Sequence, residues 1–154
     1  MKKLLLTLLT ILYISFYASA QTKNDDLYSA IAKNNTEKAI DLLKNGASAN
    51  YIKSVGPWMK VNMLITAVNN KNVDIVKLLL ENKADVNWRD GFNTTALMYA
   101  AAKANRTIID MLLDNGADIN ANDGKGNTVL SAAKESKNEE LIKYIEDRLK
   151  EKNK

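Results

Sequence analysis

The sequence predicts an all-α repeat protein, a solenoid of about four helix-turn-helix units joined by hairpin loops. Two observations carry this. The first is recurrence: Leu78-Leu79-Leu80-Glu81-Asn82-Lys83-Ala84-Asp85-Val86-Asn87 returns as Met111-Leu112-Leu113-Asp114-Asn115-Gly116-Ala117-Asp118-Ile119-Asn120, shifted by 33 residues. A third copy, Asp41-Leu42-Leu43-Lys44-Asn45-Gly46-Ala47-Ser48-Ala49-Asn50, lies 37 residues upstream of the first. The second is spacing: within each copy the apolar residues fall on one stripe of a helix and then meet an Asn/Gly turn. One such helix pair cannot bury its stripe alone, so the units must stack, and a stacked array displays a surface. That points to binding.

The opening residues read as a separate object. Met1-Lys2-Lys3 is a basic start, Leu4 through Phe16 is apolar apart from Thr and Ser, and Ala18-Ser19-Ala20 is a small-x-small cleavage signal. Residues 1–20 are therefore expected to be a secretory signal peptide, cut before Gln21, which places the protein in a periplasm or outside the cell. The style is bacterial and suggests a Gram-negative periplasm. The rival is a membrane anchor, but the run is short for a span of about 20 apolar residues and no stop-transfer pattern follows. The chain has no Cys, so a lipid-anchored Cys at the new N-terminus is excluded. Stable membrane insertion after cleavage is not expected.

Residues 21–154 remain as one repeat domain, with units at about 23–56, 57–89, 90–122 and 123–150. Removing Lys2 and Lys3 leaves 20 basic against 18 acidic residues, a net charge of +2 in place of the whole-chain +4. No Lys/Arg cluster interleaves with aromatics, so nucleic acid is a poor partner. Without Cys the core must hold without disulfides. Six Gly and one Pro argue against a flexible product.

The copy Asp90–Asn122 shows the unit most clearly. Thr95 opens a short helix running to Lys103, since Thr is a good N-cap. Ala104-Asn105-Arg106 is a turn, with Asn the residue expected to tolerate left-handed backbone. Ile108, Ile109, Met111, Leu112 and Leu113 form the stripe of a second helix, and Asn115-Gly116 ends it. The polar stretch Asp118–Gly126 reverses the chain as a hairpin. Small residues at Ala100 and Ala101 let neighbouring units approach closely.

These residues resemble the ankyrin repeat family, whose pattern is roughly D-x-x-G-x-T-P-L-H-x-A-A, a turn, then I-V-x-L-L-L-x-x-G-A-D-x-N. The third unit matches at Asp90, Thr95, Leu97, Ala100, Ala101, Ile109, Leu112, Leu113, Gly116, Ala117, Asp118 and Asn120. The second matches at Leu64, Ala67, Ile75, Val76, Leu78, Leu79, Leu80, Ala84, Asp85 and Asn87. The fourth matches at Asp123, Gly126, Thr128, Leu130 and Ala133, then at Leu141 and Ile142, and the first, more weakly, at Leu27, Ala30, Leu42, Leu43, Gly46, Ala47 and Asn50. The resemblance spans residues 25–150. It departs where the family has Pro (Met63, Ala96 and Val129 here) and His (Ile65, Met98 and Ser131). In the family that His supports bonds tying loops to neighbouring repeats, so here those bonds must be replaced or absent.

The ends are polar, as terminal units of an array must be. Ile145-Glu146 stands where Leu112-Leu113 stood, with Lys143, Asp147, Arg148 and Lys150 around it. Lys33, Asn34, Asn35, Glu37 and Lys38 make the first unit polar. The step from 33 to 37 has one location, the loop Tyr51–Val61, which carries four extra residues. Insertions in repeat arrays map to loops, often on the binding face. This loop holds Tyr51, Trp58 and Met59, and the next holds Trp88, Arg89 and Phe92. Aromatics and Arg are the types enriched at binding hot spots. Two readings stay open: the long loop contacts a partner, or it folds back and packs.

Chemistry is poorly served. Without His or Cys the usual nucleophile pairs and most zinc sites are excluded, and no metal, cofactor or catalytic residue is expected. Asp118-Ile119-Asn120-Ala121-Asn122 imitates a calcium loop, but Asp123 stands where Gly is required and Val129 where Glu is required. Asp90 and Asp123 sit at equivalent positions, and the family resemblance implies that each orders its hairpin. A cell-wall or carbohydrate-active enzyme using these carboxylates is the rival reading, and a structural assembly subunit is another.

The resemblance implies a non-enzymatic, exported binding module that docks a protein on hairpin tips and the concave face of the first helices. Carried onto this chain, that surface is Tyr51, Trp58, Met59, Val61, Asn69 and Asn70, then Trp88, Arg89, Phe92, Thr94 and Lys103, then Asn122, Lys125 and Asn127. Small exported bacterial members resemble two groups, one protecting enzymes under stress and one neutralising a toxin as an immunity protein. The module alone is expected to be a monomer.

Overall fold

Hydrogen-bonding side chains punctuate the chain at a regular interval and so divide it into paired helices. The computed structural model describes residues 2–57 and 59–152. Its elements are α1 (Lys2–Ala32), α2 (Thr36–Lys44), β1 (Ile52–Ser54), β2 (Lys60–Asn62), α3 (Met63–Asn69), α4 (Val73–Glu81), α5 (Ala96–Ala102), α6 (Arg106–Asp114), α7 (Val129–Glu135) and α8 (Glu139–Lys152). The first helices of the units form one row, α1 beside α3, α3 beside α5 and α5 beside α7, while α2, α4 and α6 form a second row behind it.

Each helix after α1 starts where a side chain accepts from an otherwise orphaned backbone N–H. In the first row these caps are Asn62 to Ile65 (2.8 Å), Thr95 to Met98 (3.3 Å) and Thr128 to Ser131 (3.1 Å). In the second row Asn35, Asn72, Asn105 and Asn138 accept from Lys38, Ile75, Ile108 and Leu141. Each such cap stabilises its helix by about 1 kcal/mol. Here the turn expectation needs correction. The left-handed residue between α5 and α6 is Ala104 (φ 51°), and Asn105 has φ −91° because its side chain is used as the cap. Asn34, Lys71 and Lys137 take the equivalent left-handed position in the other units.

The second helices end in a common way. Gly46, Lys83 and Gly116 adopt positive φ, and the N–H after each returns to Leu42, Leu79 and Leu112. This six-to-one closure satisfies the last carbonyls of the helix. Ahead of it, Ile75, Leu79, Ile108 and Leu112 are fully buried. Burying a side chain of this kind contributes about 1.5–3 kcal/mol, so the stripe drives stacking. Ala67, Ala100, Ala101 and Ala133 are also fully buried in the first helices, where small side chains let the rows close. At the C-terminal end Leu141 and Ile145 are buried on α8, with Lys143, Asp147 and Lys150 exposed.

The N-terminal segment leads into the first unit as a single helix. Backbone from Lys2 to Ala32 is one uninterrupted helix, and no Gly or Pro lies within it to break it. From Gln21 onward this helix is stitched to the first unit. Lys23 Nζ donates to the Asn45 carbonyl, and Asn24 Oδ1 accepts from the Ser48 N–H at 2.7 Å. Before it, Leu9, Leu12, Tyr13, Ile14 and Tyr17 are exposed apolar side chains. Among the described residues no helix is long and apolar enough to cross a membrane.

Candidate functional site

The three hairpins lie in a row because the units beneath them are stacked. In the second and third inter-unit loops the reversal is closed by single bridges, Arg89 with Thr95 and Asn122 with Thr128. In the first, the four extra residues lengthen the reversal into a true two-stranded ladder. Ile52 pairs with Asn62, Lys53 with Val61 and Ser54 with Lys60, and the Val55 N–H donates to the Met59 carbonyl at 2.9 Å beyond them. Side chains alternate across such a ribbon. Lys53 and Val61 therefore share the half-buried face, which turns back to α1, while Ser54 and Lys60 stand on the exposed one.

An aspartate organises each of the other two hairpins. Asp90 Oδ1 accepts from the Phe92 and Thr94 N–H groups, and its Oδ2 accepts from the Tyr99 hydroxyl at 2.7 Å. Burial first, and then Asp90, push the Tyr99 phenol well above its ordinary range. Asp123 Oδ1 accepts from the Lys125 and Asn127 N–H groups, and its Oδ2 accepts from Asn127 Nδ2 at 2.6 Å. The Asn127 amide, and next the Lys125 N–H, hold the Asp123 carboxyl below the usual carboxylate range. Both carboxylates thus order backbone, the hairpin role that the family resemblance implied.

The first hairpin is fastened differently. Lys53 Nζ lies 2.6 Å from Asp25 Oδ1, and the Tyr51 hydroxyl donates to the same oxygen at 2.8 Å while accepting from Gln21. The Lys53 ammonium, followed by the Tyr51 hydroxyl, lowers the Asp25 pKa below its ordinary value. Burial and Asp25 raise the Tyr51 phenol, and Asp25 raises Lys53.

The structure divides the expected surface residues into two kinds. Met59 and Phe92 are free and exposed, at 44% and 55% of their possible surface, and Asn69, Asn122 and Lys125 are exposed as well. Others are turned to internal use. Tyr51 is half-buried against α1, and Trp88 is half-buried against the core. Asn70 donates to the Ile31 carbonyl of the preceding unit at 3.0 Å. Arg89 Nη1 donates to the Asn93 and Asn122 carbonyls at 2.9 and 2.6 Å and so ties two hairpins together. Asn127 is spent on Asp123, Val61 and Thr94 are half-buried, and Lys103 is the half-buried C-cap of α5. Trp58 lies outside the described residues. The long first loop therefore both packs and protrudes: Tyr51 and Lys53 anchor its base, and Met59 stands clear near its tip.

Two exposed residues escaped the sequence reading. Ile52 and Val55 are exposed at 42% and 41% on the first hairpin. A usable signal was there, since apolar residues in an insertion have no repeat partner to cover them. From residue 18 onward, the exposed large apolar side chains among the described residues are Ile52, Val55, Met59 and Phe92. All four stand on hairpins. A groove of about 170 Å³ runs between the third and fourth units, lined by Thr94, Met98, Tyr99, Ala102, Asn127 and Glu135 among others. That is below the roughly 300 Å³ typical of small-molecule sites and fits one protruding side chain better.

Comparison with curated proteins finds no relative by sequence. A family model described as ankyrin repeats (3 copies) matches residues 27–123, which covers the first three units and the start of the third hairpin. Ankyrin repeats are generally protein–protein interaction modules, typically without catalytic activity. With the helix pairs, the left-handed turns and the hairpin row all present in register, the chain belongs to the ankyrin repeat family.

Proposed function

We propose that this protein is an exported adaptor that docks one protein partner along its hairpin row and the adjoining groove, inhibiting or protecting it. One observation carries the reading. Among the described residues of the repeat domain, the large apolar side chains left uncovered are Ile52, Val55, Met59 and Phe92, on two successive hairpins. Exposed apolar groups brought together in this way mark interaction sites. The surrounding fold is stiffened by hydrogen bonds, so docking would order few additional groups and would lose little affinity to entropy. Export rests on the basic, apolar and small-x-small order of residues 1–20. The immunity and stress-defence readings share this surface and differ in the partner.

The test is a Met59→Ala, Phe92→Ala double variant, used beside the parent protein to capture partners from the native envelope fraction. Both positions are exposed, so helical circular dichroism should be unchanged. The expected result is loss of a specific partner that the parent retains. Undiminished capture would remove the hairpin row from the interface. Light scattering on the purified protein separates this reading from a self-assembling subunit, since an adaptor alone runs as a monomer. N-terminal sequencing of the exported form, starting at Gln21, tests the processing step.

A further inference from the structure

We infer that the partner's docking surface is acidic as well as apolar. This rests on the hairpin row being the interface and adds the chemistry of what it meets. Charge is divided between the two sides of the array. The hairpin segments 51–61, 88–94 and 121–127 hold four basic residues, Lys53, Lys60, Arg89 and Lys125, against the two aspartates Asp90 and Asp123. The second-row helices α2, α4 and α6 hold four basic and six acidic residues. One side is thus net positive and the other net negative, on a domain that is close to neutral.

The hydrogen bonding decides which of these charged groups face outward. Both hairpin aspartates point their carboxylates into their own backbone, as described above, and Asp123 is only 8% exposed. The cations are presented. Lys60 and Lys125 are exposed and, among the described residues, neither has a carboxylate at ion-pair distance. Arg89 is exposed and bonds neutral carbonyls, so its charge is oriented but not cancelled. Lys53 alone is paired, with Asp25. Lys53, Lys60 and Arg89 sit on the same two hairpins as Ile52, Val55, Met59 and Phe92, and Lys125 sits on the hairpin that follows. A partner that covers those apolar groups must also meet a net positive charge, and complementary potentials favour encounter while like charges suppress it. An acidic protein surface with apolar side chains satisfies both demands.

The probes are two random copolymers, one of glutamate and tyrosine and one of lysine and tyrosine, titrated into the labelled full-length mature protein. The glutamate copolymer should bind saturably and weaken as salt is raised, and its amide shift changes should centre on residues 52–60, 89–92 and 125. The lysine copolymer should not bind. A Lys60→Glu, Lys125→Glu variant should bind the glutamate copolymer about tenfold more weakly, through lost attraction and added repulsion at two exposed sites. The neutral Lys60→Gln, Lys125→Gln variant should fall between the two. Equal binding of both copolymers, no binding of either, shifts centred elsewhere, or indifference to charge reversal would each overturn the proposal. So would equally strong binding of duplex DNA or anionic lipid vesicles through the same residues, since the occupant would then be a polyanion and not a protein. If the Met59→Ala, Phe92→Ala variant loses the captured partner while charge reversal leaves it bound, the docking surface stands and only its acidic complement fails.

Discussion

Asn50 and Asn87 hold equivalent positions in successive units, and each side-chain amide clasps the backbone of the unit that follows. Asn50 Nδ2 donates to the Lys83 carbonyl at 2.9 Å and its Oδ1 accepts from the Asp85 N–H at 2.7 Å. Asn87 repeats this on the Gly116 carbonyl (3.0 Å) and the Asp118 N–H (2.9 Å). Asn24, on α1, bonds the Ser48 N–H at the matching place in the first unit. Asn50 and Asn87 thus link one unit to the next.

Replacing Asn87 by Ala removes both bonds and leaves the Gly116 carbonyl and Asp118 N–H to water. Each neutral hydrogen bond contributes about 0.5–1.5 kcal/mol, so a loss of about 1–3 kcal/mol is expected in urea denaturation. Asn87→Asp keeps the acceptor for Asp118 and loses the donor, and should lose less than the alanine variant. Unchanged stability in both would show that the ladder contributes nothing beyond solvent bonds.

Lys83 has φ 61° where the equivalent residues in the neighbouring units are Gly46 and Gly116, each at φ 87°. A side chain in this region is strained by roughly 1 kcal/mol, which glycine avoids. Lys83→Gly should therefore raise stability by about 0.5–1 kcal/mol, and Gly116→Ala should lower it by about 1 kcal/mol. Thermal melts of the two variants should move in opposite directions.

Ala100 is fully buried on α5, which packs against α3 on one side and α7 on the other. Adding two methyl groups there forces the row apart. Ala100→Val should destabilise by about 1–3 kcal/mol through overpacking. An increase in melting temperature would show that a void lies beside this residue.

Acid should loosen the hairpins. Asp123 is held below its ordinary pKa by Asn127 and the Lys125 N–H, and Asp25 by Lys53 and Tyr51. Because the folded values are depressed, the unfolded chain takes up these protons more readily. The stabilisation is complete above the unfolded value near 3.9 and disappears as pH falls through the folded values. An Asp25→Asn, Asp123→Asn variant should melt lower than the parent at neutral pH and lose less on passing below about pH 4. Parallel pH profiles for the two proteins would exclude these carboxylates from the acid transition.

The stacked fold was legible because periodicity is local. Leu79 and Leu112, Lys83 and Gly116, and Thr95 and Thr128 recur at an interval of 33 residues, and each position has a single-residue physical role. The candidate surface was less legible. Arg89, Asn70 and Tyr51 carry the residue types of a hot spot, yet their partners, Asn122, Ile31 and Asp25, lie 33, 39 and 26 positions away. Which side chains are spent on such distant contacts depends on how the units pack.

From its own residues the chain determined the repeat, its helices, their caps and the place of the inserted loop, since each arises from interactions spanning only a few positions. Tertiary structure decided which exposed groups stay free. Only the stacking of one unit on the next turns Tyr51 inward to Asp25, spends Arg89 on a neighbour's carbonyl, and leaves Met59 and Phe92 uncovered beside unpaired lysines.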